Sequence, residues 1–445
     1  MDFLNGKIRP IYFKYLTAAF GSALIGSIYS VVDMAMVGQY HGPNGTAALA
    51  VVAPIWNIIY SLGLLMGIGG SVIFSTIKGK NSEERSANEF FTISVIGSII
   101  LAGLAWIIII FFDKQLLTLF GSSSDLLSLG QRYLLPIKFV LPLFLFNQMF
   151  AAYLRNDNDP TRATIVVLSG GIFNIFGDYF FVFVLDTGIF GAGLATALGT
   201  NFSFGVMMTH FISKKNTLKL VRPRQILKKM AKIFVTGFST FFIDVAMGIL
   251  TILFNRQIMK YLGANALSVY GMIVNISTFV QCCAYSVGQA SQPIISVNYG
   301  ANNAERIKEI LKYALKTVAF FSIMWVILIL VKPMLFVNIF MTPTEEIVAI
   351  APNIVRMYGM SFILLPLNIF STYYFQAILK PKAAFVVSIA RGLVISGICI
   401  MFLPLINVNA LWLAMPITEA LVAIYAIVLM IKYTNKLSIK KLRKC

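Results

Sequence analysis

The sequence predicts an all-α polytopic membrane protein, with twelve transmembrane helices in two pseudo-symmetric six-helix lobes. Three observations carry that expectation. First, 58% of the 445 residues are hydrophobic and only 12% are charged, beyond the apolar share of a soluble domain, which is about half. Second, mostly apolar runs of about 20 or more residues, long enough to cross a bilayer as helices, recur along the chain. Third, the chain repeats itself: Gly79 and Gly300, Arg85 and Arg306, and Pro160 and Pro381 each lie 221 residues apart.

Taken in order, the apolar runs place helices near residues 11–38, 47–77, 87–112, 126–154, 161–185 and 189–213. A second set follows near 228–261, 265–297, 307–331, 345–378, 383–405 and 409–432. The stretch before the first helix, Met1 to Lys14, has charges but no short apolar core ending in a small-residue cleavage site. The first helix is therefore expected to be retained. Between the sets lies the most basic internal stretch, Lys214-Lys-Asn-Thr-Leu-Lys219-Leu-Val-Arg222-Pro-Arg224. The expected division is a first lobe over 1–213, a basic linker over 214–227 and a second lobe over 228–445.

The contexts of the repeated residues also match, Lys-Gly-Lys-Asn-Ser-Glu-Glu-Arg85 against Tyr-Gly-Ala-Asn-Asn-Ala-Glu-Arg306. An internal duplication explains this economically. Each copy has an even number of helices, so the copies share one orientation, the parallel repeat of carriers that open a central cavity to either side alternately.

A formal net charge of +19 would suit a nucleic acid, but the basic residues lie between apolar spans, where they act as topology signals. No nucleic-acid partner is expected. Lys78, Lys80, Arg85, Arg155, Arg162, Arg306, Lys308, Lys380, Lys382 and the Lys436 to Lys444 tail all follow even-numbered helices. Both termini and the linker are therefore expected on the cytoplasmic side. Cys282, Cys283 and Cys399 fall inside spans and Cys445 ends the chain, with no disulfide or metal spacing. His41 and His210 read as incidental, and with no nucleophile and base in any recognisable arrangement the chain is not expected to be an enzyme.

Chemistry concentrates in Asn174-Ile-Phe-Gly-Asp178, inside the apolar segment from Val167 to Leu185. Four residues apart, the amide and the carboxylate share one helix face, about one turn from each other. A carboxylate in hydrocarbon costs a few kcal/mol or more, so it must face a bundle interior or a watery cavity. There it can exchange a proton or a small cation as its surroundings change. An inert interhelical hydrogen bond is the bland alternative. Asp33, in a second apolar segment from Leu16 to Val37, favours function.

Val-Val-Asp33-Met-Ala-Met-Val-Gly38, Leu154-Arg-Asn-Asp-Asn-Asp-Pro160, Asn174-Ile-Phe-Gly-Asp178 with Gly188-Ile-Phe-Gly-Ala-Gly-Leu-Ala-Thr196, and Gly288-Gln-Ala-Ser-Gln-Pro-Ile-Ile-Ser-Val-Asn-Tyr-Gly300 follow one another along nearly the whole chain. Together they resemble the multidrug and toxic compound extrusion (MATE) transporters, most of all a MepA-like bacterial branch. The resemblance implies the MATE fold and export of cationic, aromatic and other amphipathic compounds. Inward movement of sodium ions or protons would drive it, with no further cofactor. A monomer in the bacterial plasma membrane, surrounded by the lipid bilayer, is expected. The resemblance also implies a cation-coupling site at Asp33, Asn174, Asp178 and Thr196, with Asn147 or Gln148 facing the same pocket. These are oxygen ligands of the kind a hard cation such as sodium prefers.

Some relatives carry a second carboxylate pair on helices 7 and 10 and a bend-forming proline in helix 1. Here helix 10 has no carboxylate beyond its first residues, helix 7 offers Asp244 about one turn away, and the proline is absent. These departures favour coupling in the first lobe. Asp244 lies among aromatic residues that suit an organic cation, with Arg256 as the bland partner. Glu419 either binds cargo or pairs with Arg391. Asn57, Asn275, Gln281 and Gln289 either line a cavity or make interhelical hydrogen bonds. A lipid-linked oligosaccharide flippase of the same superfamily is the alternative function, but it calls for cationic residues around a pyrophosphate, whereas the buried charges here are mostly acidic.

Overall fold

The computed structural model describes residues 3–80, 84–122, 124–340 and 344–442. Asn81 to Glu83 of the repeated loop and the Arg443 to Cys445 end of the basic tail lie outside them. The described residues form helices and no strand. In chain order these are α1 Ile8–Gly42, α2 Asn44–Gly79, α3 Glu84–Leu119, α4 a bent pair Leu126–Lys138 and Leu141–Asn156, α5 Pro160–Val184 and α6 Ile189–Ile212. Then come α7 Ile226–Tyr261, α8 Asn265–Gly300, α9 Ala304–Val331, α10 Glu345–Ala377, α11 Pro381–Ile406 and α12 Val408–Leu437. Among the described residues, eleven helices are long and apolar enough to cross a membrane, or twelve with the bent pair as one span. Large apolar side chains along α3, including Ile100, Leu104, Ile107 and Phe111, are at least half exposed. Such a surface fits hydrocarbon rather than water.

The chain divides into two compact units. The first is Gly21–Phe241 and the second is Met1–Phe20 with Phe242–Cys445. The opening residues belong with the second because Arg306 donates to the Phe3 and Gly6 carbonyls, at 3.1 and 2.7 Å, and Tyr12 donates to Thr317 at 3.0 Å. Phe20 stacks on Phe321 with ring centroids 5.9 Å apart. The first unit buries Val37, Val52, Ile59, Leu141, Leu145 and Val182 in one core, and the second buries Tyr12, Val287, Ile294, Ile310, Phe370 and Tyr374 in another.

The duplication is written into the backbone as well. Between α4 and α5, Asn158 turns left-handed (φ 62), the Asp159 amide reaches the Leu154 carbonyl at 2.9 Å, and Pro160 opens the next helix. Between α10 and α11, Leu379 does the same (φ 53), the Lys380 amide reaches the Phe375 carbonyl at 2.8 Å, and Pro381 opens the helix. Each pair of residues is 221 apart. Proline suits the first helical turn because its missing N–H has no intrahelical partner there. Both units also break an α-helix at its middle. α4 bends by 63° ahead of Pro142, and α10 tightens over Met360–Ile363 ahead of Pro366. Both widen a helix by one π turn, Tyr179–Val184 in α5 and Ala390–Val394 in α11. Such turns expose backbone carbonyls and recur at functional sites.

Candidate functional site

Close helix contacts in the first unit build the site. At Gly170, Gly177 and Gly199 an added Cβ would come within 1.9 Å of Ser203 Oγ, 2.9 Å of Ala195 Cβ and 2.9 Å of the Gly170 carbonyl, so α5 and α6 approach backbone to backbone. At Gly193 a Cβ would sit 2.1 Å from the Tyr133 carbonyl, which brings α4 against α6 one turn before Thr196. Gly188, at φ 58, starts α6 in a conformation that suits glycine, with His41 in the space a Cβ would need.

The outcome is one hydrogen-bonded chain. Tyr133 Oη donates to Asp33 Oδ2 at 2.9 Å and lies 3.5 Å from Thr196 Oγ1. Asn174 Nδ2 donates to Thr196 Oγ1 at 3.0 Å and lies 3.5 Å from Asp178 Oδ1. Asp178 is fully buried and Asn174 nearly so, and Asp178 is the last residue before the π turn of α5. Three oxygens in this chain, Asp33 Oδ1, Asn174 Oδ1 and Asp178 Oδ2, are closed off from solvent and have no hydrogen-bond partner among the described residues. Buried acceptors left open in this way cost free energy unless something donates to or coordinates them. Carboxylate and amide oxygens of this kind suit a small hard cation or a proton.

A cavity of about 560 Å³, including its open side, runs beside the chain and is lined by Tyr29, Asn147, Gln148, Asn174, Thr196 and Thr200, among others. Both Asn147 and Gln148 line it, rather than one of the two alone. Asn147 Nδ2 donates to the Thr200 carbonyl at 3.1 Å, and its Oδ1 is buried without a partner.

The other sequence-derived candidates lie elsewhere. Asn57 is an exposed residue of α2 in the first unit, and Asn275 of α8 donates back to the Gly271 carbonyl at 3.0 Å. Gln281 is buried in α8. Asp244 has a buried Oδ2 with no partner, and no ion pair joins it to Arg256 among the described residues. Glu419 is fully buried and committed on both oxygens. Arg391 Nε donates to Oε1 at 2.7 Å and Asn368 Nδ2 to Oε2 at 2.6 Å.

Sequence reasoning missed two features. Tyr133 carried no signal beyond a tyrosine in an apolar run shortly before Pro136, and its partner is 100 residues away. His210, read as incidental, is fully buried between two carboxylates, with Nδ1 3.2 Å from Asp159 Oδ2 and Nε2 3.0 Å from Asp157 Oδ2. Lys78 pairs with Asp157 at 3.0 Å, Thr217 donates to it from its amide at 2.9 Å and from its hydroxyl, and Arg162 and Lys215 pair with Asp159 at 3.2 and 3.0 Å. Burial pushes the Asp157 carboxyl up, but the His210 hydrogen bond, the Lys78 charge and the two Thr217 hydrogen bonds outweigh it and hold the group below the ordinary carboxylate range.

A bundle of this many membrane-length helices, with an oxygen-lined polar chain buried inside one unit, has the construction of a polytopic membrane carrier. The MatE family model matches residues 18–180 and 240–400, and the chain belongs to that family, whose members are transporters rather than enzymes. Among curated relatives, the multidrug export protein MepA of Staphylococcus saprophyticus is 23% identical over 428 residues, spanning 94% of this chain and 92% of the relative. MepA of Staphylococcus haemolyticus is 24% identical over the same shares. An outward-facing multidrug resistance MATE transporter of the MOP superfamily superposes with a TM-score of 0.89 at 19% identity, covering 98% of each chain. A MATE protein in a straight conformation reaches 0.90 at 19% identity and the same coverage. A MOP superfamily transporter from Pyrococcus furiosus, described as having a binding pocket of reversed polarity that suggests a different function, reaches 0.88 at 20%, again over 98% of each chain. These likenesses establish the MATE fold.

Proposed function

We propose that this chain is a secondary active multidrug efflux antiporter, exporting cationic and aromatic compounds in exchange for sodium ions or protons by alternating access. The observation that carries the reading is the set of three unpartnered buried oxygens on Asp33, Asn174 and Asp178. Two carboxylates this close to one polar chain are stabilised by a shared cation or proton and repel each other without one. Thr196 and Tyr133 supply hydroxyl oxygens beside it, and Asn147 and Gln148 face the adjoining cavity. The coupling ion is thus cargo, moved inward as the drug moves out. Asp244, with an unpartnered carboxylate oxygen, is the candidate contact for organic cations in the second unit. The basic linker and both termini lie on the cytoplasmic side, the membrane is the bacterial plasma membrane, and the working unit is a monomer.

The test is efflux of a fluorescent organic cation from proteoliposomes with a sodium gradient or a proton gradient imposed separately, in wild type and Asp33→Asn. Movement driven by one gradient and abolished by the substitution is expected, and it names the ion. Absence of movement with either gradient in folded protein would overturn the antiporter reading and favour the lipid-linked oligosaccharide flippase.

A further inference from the structure

The segment joining α6 to α7 is held in place by the first unit rather than hanging between two helices. Residues 216–223 are in neither helix nor strand. Leu218 is buried, the Lys219 amide donates to Asn88 Oδ1 at 2.8 Å, the Val221 amide to Thr92 Oγ1 at 3.0 Å, and Asn88 Nδ2 to the Thr217 carbonyl at 3.2 Å. The Asp157, His210 and Asp159 cluster fixes its beginning through Thr217 and Lys215. At its end Gln225 turns left-handed (φ 53) and its carbonyl takes the Lys229 amide at 3.1 Å.

This strap pins its backbone inward and turns two kinds of side chain outward. Lys214, Arg222 and Arg224 of the strap, with Lys228 and Lys232 in the first turns of α7, are exposed, and their side chains make no ion pair or hydrogen bond among the described residues. Interleaved with them are Ile212, Leu220, Ile226 and Leu227, which are 89%, 69%, 43% and 86% exposed. Exposed leucines beside unpaired cations are a poor surface for water alone. They are a good one where acyl chains meet headgroups, and the strap joins the ends of two membrane-length helices.

We propose that this strap is a docking surface for anionic phospholipid headgroups in the leaflet it faces. The five cations meet the phosphates and the four apolar side chains enter the acyl boundary. Anchoring by the first unit holds the backbone that carries the charges, so little backbone ordering is needed when lipid binds. The occupant is a phospholipid rather than an acidic protein or free phosphate because the apolar side chains are interleaved with the charges and lie at a membrane boundary. The inference is independent of which ion or cargo the carrier moves.

Native mass spectrometry of protein released from mixed micelles of phosphatidylglycerol and phosphatidylcholine tests it. The comparison is wild type against Arg222→Gln/Arg224→Gln/Lys228→Gln, with Lys312→Gln/Lys316→Gln as a control on exposed lysines elsewhere. Each charge near an anionic surface is worth about a fivefold change in binding. The triple variant should therefore retain at least about tenfold less phosphatidylglycerol, with phosphatidylcholine unchanged and the control like wild type. A salt titration of wild type needs no folded variant: phosphatidylglycerol retention should fall as salt rises, while phosphatidylcholine retention stays level. Equal phosphatidylglycerol retention in wild type and triple variant, an equal loss in the control, or retention indifferent to salt would each overturn the proposal.

Discussion

Two buried carboxylate sites, one in each unit, are completed in opposite ways. In the first, Asp33 and Asp178 sit among a tyrosine, a threonine and an asparagine, all uncharged, and three oxygens are left open. In the second, Glu419 is closed by a guanidinium on one oxygen and an amide on the other. Helices from one duplicated plan thus hold an acid that is available and an acid that is spent. A π turn stands at each place, following Asp178 in α5 and containing Arg391 in α11. The lesson is that burial of a carboxylate does not mark function; what marks it is the missing counter-charge. On the proposed function, an inward-moving cation completes the first arrangement, whereas the second already has its cation built in.

That contrast is broken or sharpened most by a pair of isosteric substitutions. Asp178→Asn should insert and fold much as wild type yet lose gradient-driven efflux by about a hundredfold, roughly 2.7 kcal/mol of coupling. Glu419→Gln should do the reverse, losing stability while each folded molecule keeps most of its transport. Proteoliposome efflux normalised to folded protein reads both. Full activity in Asp178→Asn would remove the distinction between the two acids.

The next effect is on stability. Arg391→Met leaves a fully buried Glu419 without its charge partner and should cost about 3–5 kcal/mol, seen as a lower unfolding midpoint in detergent. Adding Glu419→Leu to that variant should recover most of the loss, because two apolar side chains replace an ion pair that contributes mainly by neutralising itself. A double variant as unstable as the single one would show that Glu419 is held by something other than Arg391. Smaller is Tyr133→Phe, which removes the donor to Asp33 without opening a cavity. A hydrogen bond to a charged group is worth about 1.5–3 kcal/mol. The variant should change the concentration of driving ion needed for half-maximal efflux by about tenfold or more while leaving expression unchanged.

What was legible beforehand divides along sequence distance. The helices could be read because apolar length is a local property, and the Asn174 and Asp178 pairing because four residues on one helix are one turn. The α4–α5 and α10–α11 corners could be read because Pro160 and Pro381 punctuate them. Tyr133 and His210 could not, since their partners lie 100 residues away in one case and 51 and 53 in the other. Nothing in a single tyrosine or histidine says which acid a helix crossing will bring to it. Likewise the linker reads as a basic tether from composition, while its path depends on Asn88 and Thr92 of α3. The Arg391 and Glu419 pairing lay between: both residues stood out as buried charges, but only packing decided whether the acid was left for cargo.

The last expected effect concerns another buried acid, Asp157, which extends the comparison to the linker side of the first unit. Like Glu419 it is closed by cationic and polar partners, Lys78, His210 and Thr217, so it should behave as structure and not as a transport group. Its folded carboxyl is held below the ordinary range. The sign follows from that: the ionised form is favoured in the folded chain, so its contribution is complete above the unfolded value of about 3.9 and is lost only as pH falls through the lower folded value. Asp157→Asn should therefore lower the unfolding midpoint by about 1–3 kcal/mol of stability at neutral pH. The gap from wild type should stay level down to about pH 5 and shrink below about pH 4. Gradient-driven efflux per folded molecule should be kept, as for Glu419→Gln. A variant that stays stable but cannot couple would place Asp157 with Asp33 and Asp178 instead, and would extend the available acids of the first unit to its linker side.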